Sequence, residues 1–203
     1  MKDGIMDESA EFNQRIDKLE LEIFTRLPES LRLISKTHFT PVRIAQLAAE
    51  WLTEDGPKKI LDIGAGTGKF CIAGAIEYDS FFYGIEHRES LVDIANSMIE
   101  SFGLKNAKVL HHNILDVNFK DYDAFYLFNP YYENLVFNKR LNNEVSLSEQ
   151  LHKQYTEHTL AQLREMPNGT RVVTYDGENK EIPYAYERVR QSQNGLLKLW
   201  VKQ

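Results

Sequence analysis

The stretch ILDIGAGTGKF, residues 60–70, sets an acid and three glycines directly behind an apolar run. Glycines at 64, 66 and 68 leave the backbone bare in the way a strand-to-helix turn needs when a ligand touches main-chain N–H groups at a helix N-terminus. Three ligand classes use such a turn. A phosphate-binding loop requires G-x-x-x-x-G-K-[ST], but Gly68-Lys69 is followed by Phe70 and the position five before Gly68 is Ile63, so the pattern fails at both ends. A dinucleotide fingerprint requires G-x-G-x-x-G, and here the third glycine arrives at 68 with Lys69 where it belongs. What remains is an acid, an apolar residue and G-x-G-x-G, from Asp62 to Gly68.

Outward from this turn the chain alternates. KILDI, FFYGIE, AKVLHH, DAFYLF and TRVVTY have strand character, while GKFCIAGAIE, ESLVDIANSMIESF (stopped by Gly103) and a run near 148–165 have helical character. Such alternation predicts a parallel sheet with helices on both faces. Ser146 and Glu149 have capping-box spacing ahead of a stripe of Leu151, Tyr155, Leu160 and Leu163, and Pro167 and Gly169 close that helix. YERVRQSQ and LLKLWVKQ flank Asn194-Gly195, which predicts a terminal antiparallel hairpin. Ahead of the turn, Phe12, Ile16, Leu19, Ile23 and Leu27 recur at helical spacing. Thr40 reads as the N-cap and Pro41 as the first residue of a further helix that ends at Gly56-Pro57. The polar segment 133–148, with Lys139 and Arg140, reads as a loop over the carboxyl edge of the sheet.

Composition bounds the function. With 203 residues, 42% hydrophobic and 27% charged, the chain suits one domain burying about 70% of its unfolded surface. A single cysteine, Cys71, rules out an internal disulfide and reads as a packed thiol. No run of eighteen apolar residues occurs and the start, MKDGIMDESAEF, is acidic, so a cytoplasmic protein without a membrane partner is expected. A net charge of −6 disfavours nucleic acid, which calls for a basic face. His111 and His112 stand too close on a strand to serve one metal, and no metal is expected.

The motif from Asp62 to Gly68 resembles the first motif of the class I, Rossmann-like S-adenosylmethionine-dependent methyltransferases. The resemblance runs from about Pro41 to Gln203 and implies a three-layer α/β sandwich with a seven-stranded mixed sheet ending in an antiparallel hairpin. Residues 1–40 would be an N-terminal helical extension and 41–203 the methyltransferase domain. It implies S-adenosylmethionine as cofactor, with Asp62 near its amino acid moiety and Gly64, Ala65, Gly66, Thr67 and Gly68 passing beneath. Glu86, about two dozen residues beyond Asp62 at a strand end, would accept the ribose hydroxyls, and His87 would flank the adenine. Asn113 would accept from the adenine amino group, with Ile114 under the ring and Asp116 as the competing candidate. Phe39, Thr40 and Pro41 either start a helix or cross the cofactor pocket. For residues 1–36, a lid, a substrate-recognition surface and a dimer contact stay open.

Asn129-Pro130-Tyr131-Tyr132 falls at a strand's carboxyl end, where open α/β sheets bind ligands. It resembles the (D/N/S)-P-P-(Y/F/W) motif of N-methyltransferases, with Tyr131 in place of the second proline. The resemblance implies that Asn129 and the Pro130 carbonyl accept the N–H protons of an amine while Tyr132 stacks on it, and that Asn129 also borders the cofactor. A proline turn with packed tyrosines is the bland alternative. Tyr184 and Tyr186 either line an acceptor pocket or pack on the sheet. The function implied is methylation of a nitrogen on a protein side chain or small molecule, by a monomer or homodimer. A non-catalytic cofactor-binding scaffold and a dinucleotide-dependent oxidoreductase remain as rivals.

Overall fold

The computed structural model describes residues 3–56, 58–136, 140–177 and 180–203, with side chains from residue 10 onward. Pro57 and Lys139, both used in the sequence reading, lie outside the described residues. Three helices come first: α1 (Asp3–Arg26), α2 (Glu29–His38) and α3 (Val42–Thr53). Strand and helix then alternate through β1 (Lys59–Ile63), α4 (Lys69–Glu77), β2 (Phe81–Glu86), α5 (Glu89–Ser101) and β3 (Ala107–His111). After two 3-10 turns come β4 (Ala124–Leu127), a 3-10 turn at Tyr132–Asn134, α6 (Glu149–Arg164), β5 (Arg171–Tyr175), β6 (Tyr186–Gln191) and β7 (Leu197–Lys202).

The seven strands form one sheet in the order β3-β2-β1-β4-β5-β7-β6, with β1 to β5 parallel and β7 antiparallel to both its neighbours. Both the mixed sheet and its closing hairpin were legible in the sequence. Chain order reverses beside β1, where β2 lies on one side and β4 on the other, so the crevice at that switch point opens at the ends of β1, β2 and β4.

Strand alternation divides the core. Ile60, Phe82, Ala124, Tyr126 and Val173 pack with α1 to α5, whereas Leu61, Ile63, Ile85, Phe125 and Val172 pack with Tyr155 and Leu163 of α6. Each such large side chain contributes about 1.5–3 kcal/mol by leaving water. The α1 stripe of Ile16, Leu19, Ile23 and Leu27 enters the first of these cores, so the N-terminal helices share it with the sheet. Phe12 was read as part of the stripe but is 45% exposed.

Two helix starts differ from the sequence reading. Thr40 does not cap α3: its hydroxyl bonds the Tyr126 hydroxyl at 2.9 Å, and the Val42 N–H donates instead to Glu20 Oε2 at 2.7 Å. A carboxylate from α1 thus satisfies an orphan donor of α3 and meets its positive end. The same Glu20 pairs with Lys69, whose side chain is almost fully buried at the start of α4. On α6 the cap is Ser148, which accepts the Leu151 N–H at 3.1 Å, rather than Ser146.

Candidate functional site

The turn after β1 is held from both sides. Gly64 N–H and Ala65 N–H both donate to the Ile85 carbonyl at 3.0 Å, and Gly66 N–H donates to Glu86 Oε2 at 3.0 Å. Gly64 (φ 76°) and Gly66 (φ 54°) adopt left-handed backbone that a side chain would strain. Space is tight as well. A Cβ on Gly64 would sit 3.0 Å from Pro130 Cβ, and one on Gly66 would sit 3.2 Å from the Phe39 ring. What passes close to the turn on those sides is therefore protein: the Asn129–Tyr132 turn and the segment joining α2 to α3.

A cavity of about 980 Å³ opens at the carboxyl ends of the strands. Gly64, Gly66, Glu86, His87, Asn113 and Ile114 line it on one side, and Asn129, Pro130, Tyr131 and Tyr132 on the other. Asp62 and Ala65 border a small adjoining pocket of about 30 Å³ that shares Gly64, Gly66 and Phe39 with the main cavity. Thr67 and Gly68 line neither; Thr67 is fully buried with its hydroxyl unpartnered. Asp116 is exposed and stands outside the lining.

Glu86 is 5% exposed, and three amides converge on its carboxylate: Gly66 on Oε2, with His87 at 2.9 Å and Arg88 at 3.0 Å on Oε1. Burial pushes its carboxyl up, opposed by Arg88 and the three N–H donors. Asp62 is more isolated. Its described hydrogen-bond partner is the Cys71 thiol at 3.8 Å, and burial above all raises its carboxyl to about 8. His87 is held neutral, lowered to about 4 by burial and by the Arg88 charge. Asn113 does not end β3, which stops at His111; it caps a 3-10 turn through Leu115 N–H at 3.0 Å and donates to the Tyr155 hydroxyl at 3.3 Å.

At the end of β4, Asn129 takes φ 42°, uncommon for a side-chain-bearing residue. Tyr131 adopts φ −115° and ψ 4°, outside the range near −65° that proline can reach. Its hydroxyl bonds Thr159 Oγ1 at 2.6 Å, and its ring packs 5.4 Å from Tyr155. Tyr131 is thus anchored on α6, while Tyr132 is 46% exposed. Tyr186 is buried, donating to the Leu163 carbonyl at 3.0 Å, and Tyr184 is fully exposed; neither lines the cavity.

Sequence reasoning missed Arg88. This buried guanidinium donates to Glu133 Oε2 at 2.5 Å and Asn142 Oδ1 at 3.1 Å, tying the start of α5 to the segment after the Asn129–Tyr132 turn. Its adjacency to Glu86 was the one available signal. Phe128, Tyr175 and Asp176 were missed too, because only the pairing of β4 with β5 brings them together. Among the described residues no helix is long and apolar enough to cross a membrane, and no group of three or more His, Cys, Asp or Glu is placed to hold a metal.

Residues 54–153 match a family described as a methyltransferase domain. No curated protein matches the chain. Similar solved structures include an RNA methyltransferase from Salinibacter ruber in complex with S-adenosyl-L-homocysteine, at 18% identity and TM-score 0.51, covering 79% of this chain and 88% of that one. A geranyl diphosphate methyltransferase in complex with SAM aligns at 17% identity and TM-score 0.50, over 71% of this chain and 52% of its own. The [4+2]-cyclase SpnF aligns at 21% identity and TM-score 0.51, over 66% and 44%. Residues 54–153 thus carry the match to a methyltransferase domain, and the glycine turn after β1 together with the seven-stranded mixed sheet gives the chain the class I, Rossmann-like methyltransferase fold.

Proposed function

We propose that this chain methylates a nitrogen, on a protein side chain or a small molecule, at the Asn129–Tyr132 turn. The observation that carries the reading is the contact of Pro130 with Gly64: a Cβ there would be 3.0 Å away, so the turn abuts the cofactor loop along one cavity. Residues 41–203 would form the methyltransferase domain and residues 1–40 a helical extension sharing its core.

The groups present suit S-adenosylmethionine. An ionised carboxylate has about four acceptor sites, and three of those on Glu86 are taken by amides, which leaves Oε2 able to accept from a ribose hydroxyl. Asn113 Oδ1 uses one lone pair on Leu115 and keeps another for an amino group, with Ile114 beside it as an apolar floor. Asp62 has no described cation in ion-pair range and keeps its proton to about pH 8 without one, so an incoming α-ammonium would favour its ionised form and pair with it. Lys69, close by in sequence, is already committed to Glu20.

Bound S-adenosylmethionine supplies an electrophilic methyl group on a sulfonium. The protein's part is alignment and exclusion of water. Among the described residues no hydrogen bond is donated to the Asn129 side-chain oxygen or to the Pro130 carbonyl, so both can accept N–H protons and aim an amine lone pair. The Asn129 carbonyl takes Tyr132 N–H at 3.1 Å, which stiffens the turn without using those acceptors.

The test is calorimetric titration of S-adenosylhomocysteine, followed by labelled-cofactor transfer to protein and small-molecule fractions using wild type and Asn129→Ala. Micromolar binding with transfer lost in Asn129→Ala supports the reading. Binding without transfer to any fraction favours a scaffold, and an absence of binding by folded protein refutes the cofactor assignment.

A further inference from the structure

We infer that Asp176 forms the charged half of the acceptor site, receiving the acceptor as an ammonium ion beside Asn129; the ion gives up one N–H proton to solvent before its nitrogen lone pair attacks the methyl group and the S–CH₃ bond breaks. The inference deepens the N-methylation reading and rests on it.

Among the described residues only two non-glycine positions have positive φ, Asn129 (42°) and Asp176 (56°). They are neighbours. β4 and β5 are parallel with Leu127 opposite Thr174, so the two residues stand at matching places just beyond their strand ends. The Asn129 side chain lies against the backbone that follows Asp176: a Cβ on Gly177 would be 2.0 Å from Asn129 Oδ1. Strained backbone of this kind persists where the surrounding structure holds it and concentrates at binding sites. Here both residues line the cavity that also holds Gly64 and Glu86.

The local chemistry suits a cation. Asp176 Oδ1 accepts the Gly177 N–H at 2.8 Å, which orients the carboxylate and leaves Oδ2 for a ligand. Among the described residues no lysine, arginine or histidine pairs with Asp176 in ion-pair range. The rings of Phe128 and Tyr175, the residues directly before Asn129 and Asp176, lie 4.9 Å apart and give the same part of the cavity an aromatic wall. A carboxylate, a free amide oxygen and aromatic faces together select an ammonium over a neutral or anionic group.

The probe is sinefungin, an S-adenosylhomocysteine analogue carrying a primary ammonium where the transferable methyl would be. Its affinity relative to S-adenosylhomocysteine reads the acceptor site without knowledge of the acceptor. Calorimetry on wild type should show sinefungin binding about tenfold more tightly, the equivalent of one modest ion pair. Asp176→Asn keeps the Gly177 contact and tolerates positive φ, so it should hold S-adenosylhomocysteine affinity within about twofold while removing the preference. Asp176→Gly, also free at positive φ, serves as a second fold-neutral variant. Equal affinities in wild type, or a preference retained in both variants, overturns the inference. If the preference survives both Asp176 variants and disappears in Asn129→Ala, the N-methylation reading stands without Asp176. No binding of S-adenosylhomocysteine by folded wild type overturns both.

Discussion

Replacing Asp62 with asparagine should remove a pH-dependent weakness from the folded chain. Asp62 is 4% exposed, and burial above all, relieved by Cys71 and reinforced by Glu86, lifts its carboxyl from 3.8 to about 8. Below 3.8 the group is protonated in the folded and unfolded chains alike and leaves stability unchanged. Between 3.8 and about 8 the unfolded chain ionises while the folded chain keeps its proton. Unfolding then releases a proton, so stability falls as pH rises. Above about 8 both forms are ionised and the cost is constant at roughly 6 kcal/mol. Urea unfolding followed by circular dichroism at pH 5, 6.5 and 8.5 compares wild type with Asp62→Asn. The variant's stability relative to wild type should rise by roughly 4 kcal/mol from pH 5 to 8.5. His87, lowered to about 4, acts in the opposite sense by costing stability as pH falls below 6.5; it is common to both proteins and cancels in the difference. Parallel stability curves across this range would refute the assignment of a buried proton to Asp62.

Three further outcomes test the site and its supports. Glu86→Ala should abolish micromolar S-adenosylhomocysteine binding in calorimetry, and Gly66→Val should do so by driving a side chain into Phe39; retained affinity in either would contradict the placement of the cofactor. Glu20→Ala removes the remote cap of α3 and strands the buried Lys69, so thermal or urea unfolding should show a loss of roughly 1–3 kcal/mol, against almost none for an exposed glutamate such as Glu157. Tyr131→Phe should cost about 1 kcal/mol through the lost Thr159 bond, whereas Tyr131→Pro, which restores the second proline of the N-methyltransferase motif, should cost more because φ −115° lies beyond proline's reach. A Tyr131→Pro protein as stable as wild type would mean that the turn re-forms freely.

The strand and helix order, the parallel sheet, the terminal hairpin and the glycine turn after β1 were readable from the chain alone, because each depends on local pattern. Apolar periodicity separates strand from helix, the spacing of Gly64, Gly66 and Gly68 distinguishes one ligand turn from two others, and Asn194-Gly195 marks the hairpin. Local pattern also placed Glu86 and Asn129 at strand ends, the edge where such sheets gather their ligands. What the tertiary structure alone decided are the partnerships between distant segments. Glu20 rather than Thr40 caps α3, and Pro130 and Phe39 fill the space that Gly64 and Gly66 leave bare. Arg88 reaches Glu133 across 45 residues, and Asp176 comes to stand beside Asn129 only because β4 and β5 pair in that register. Sequence spacing reports which residues share a turn or a face; it carries no information on which turns meet, since that follows from sheet order and from the packing of α1 and α6 over the finished sheet.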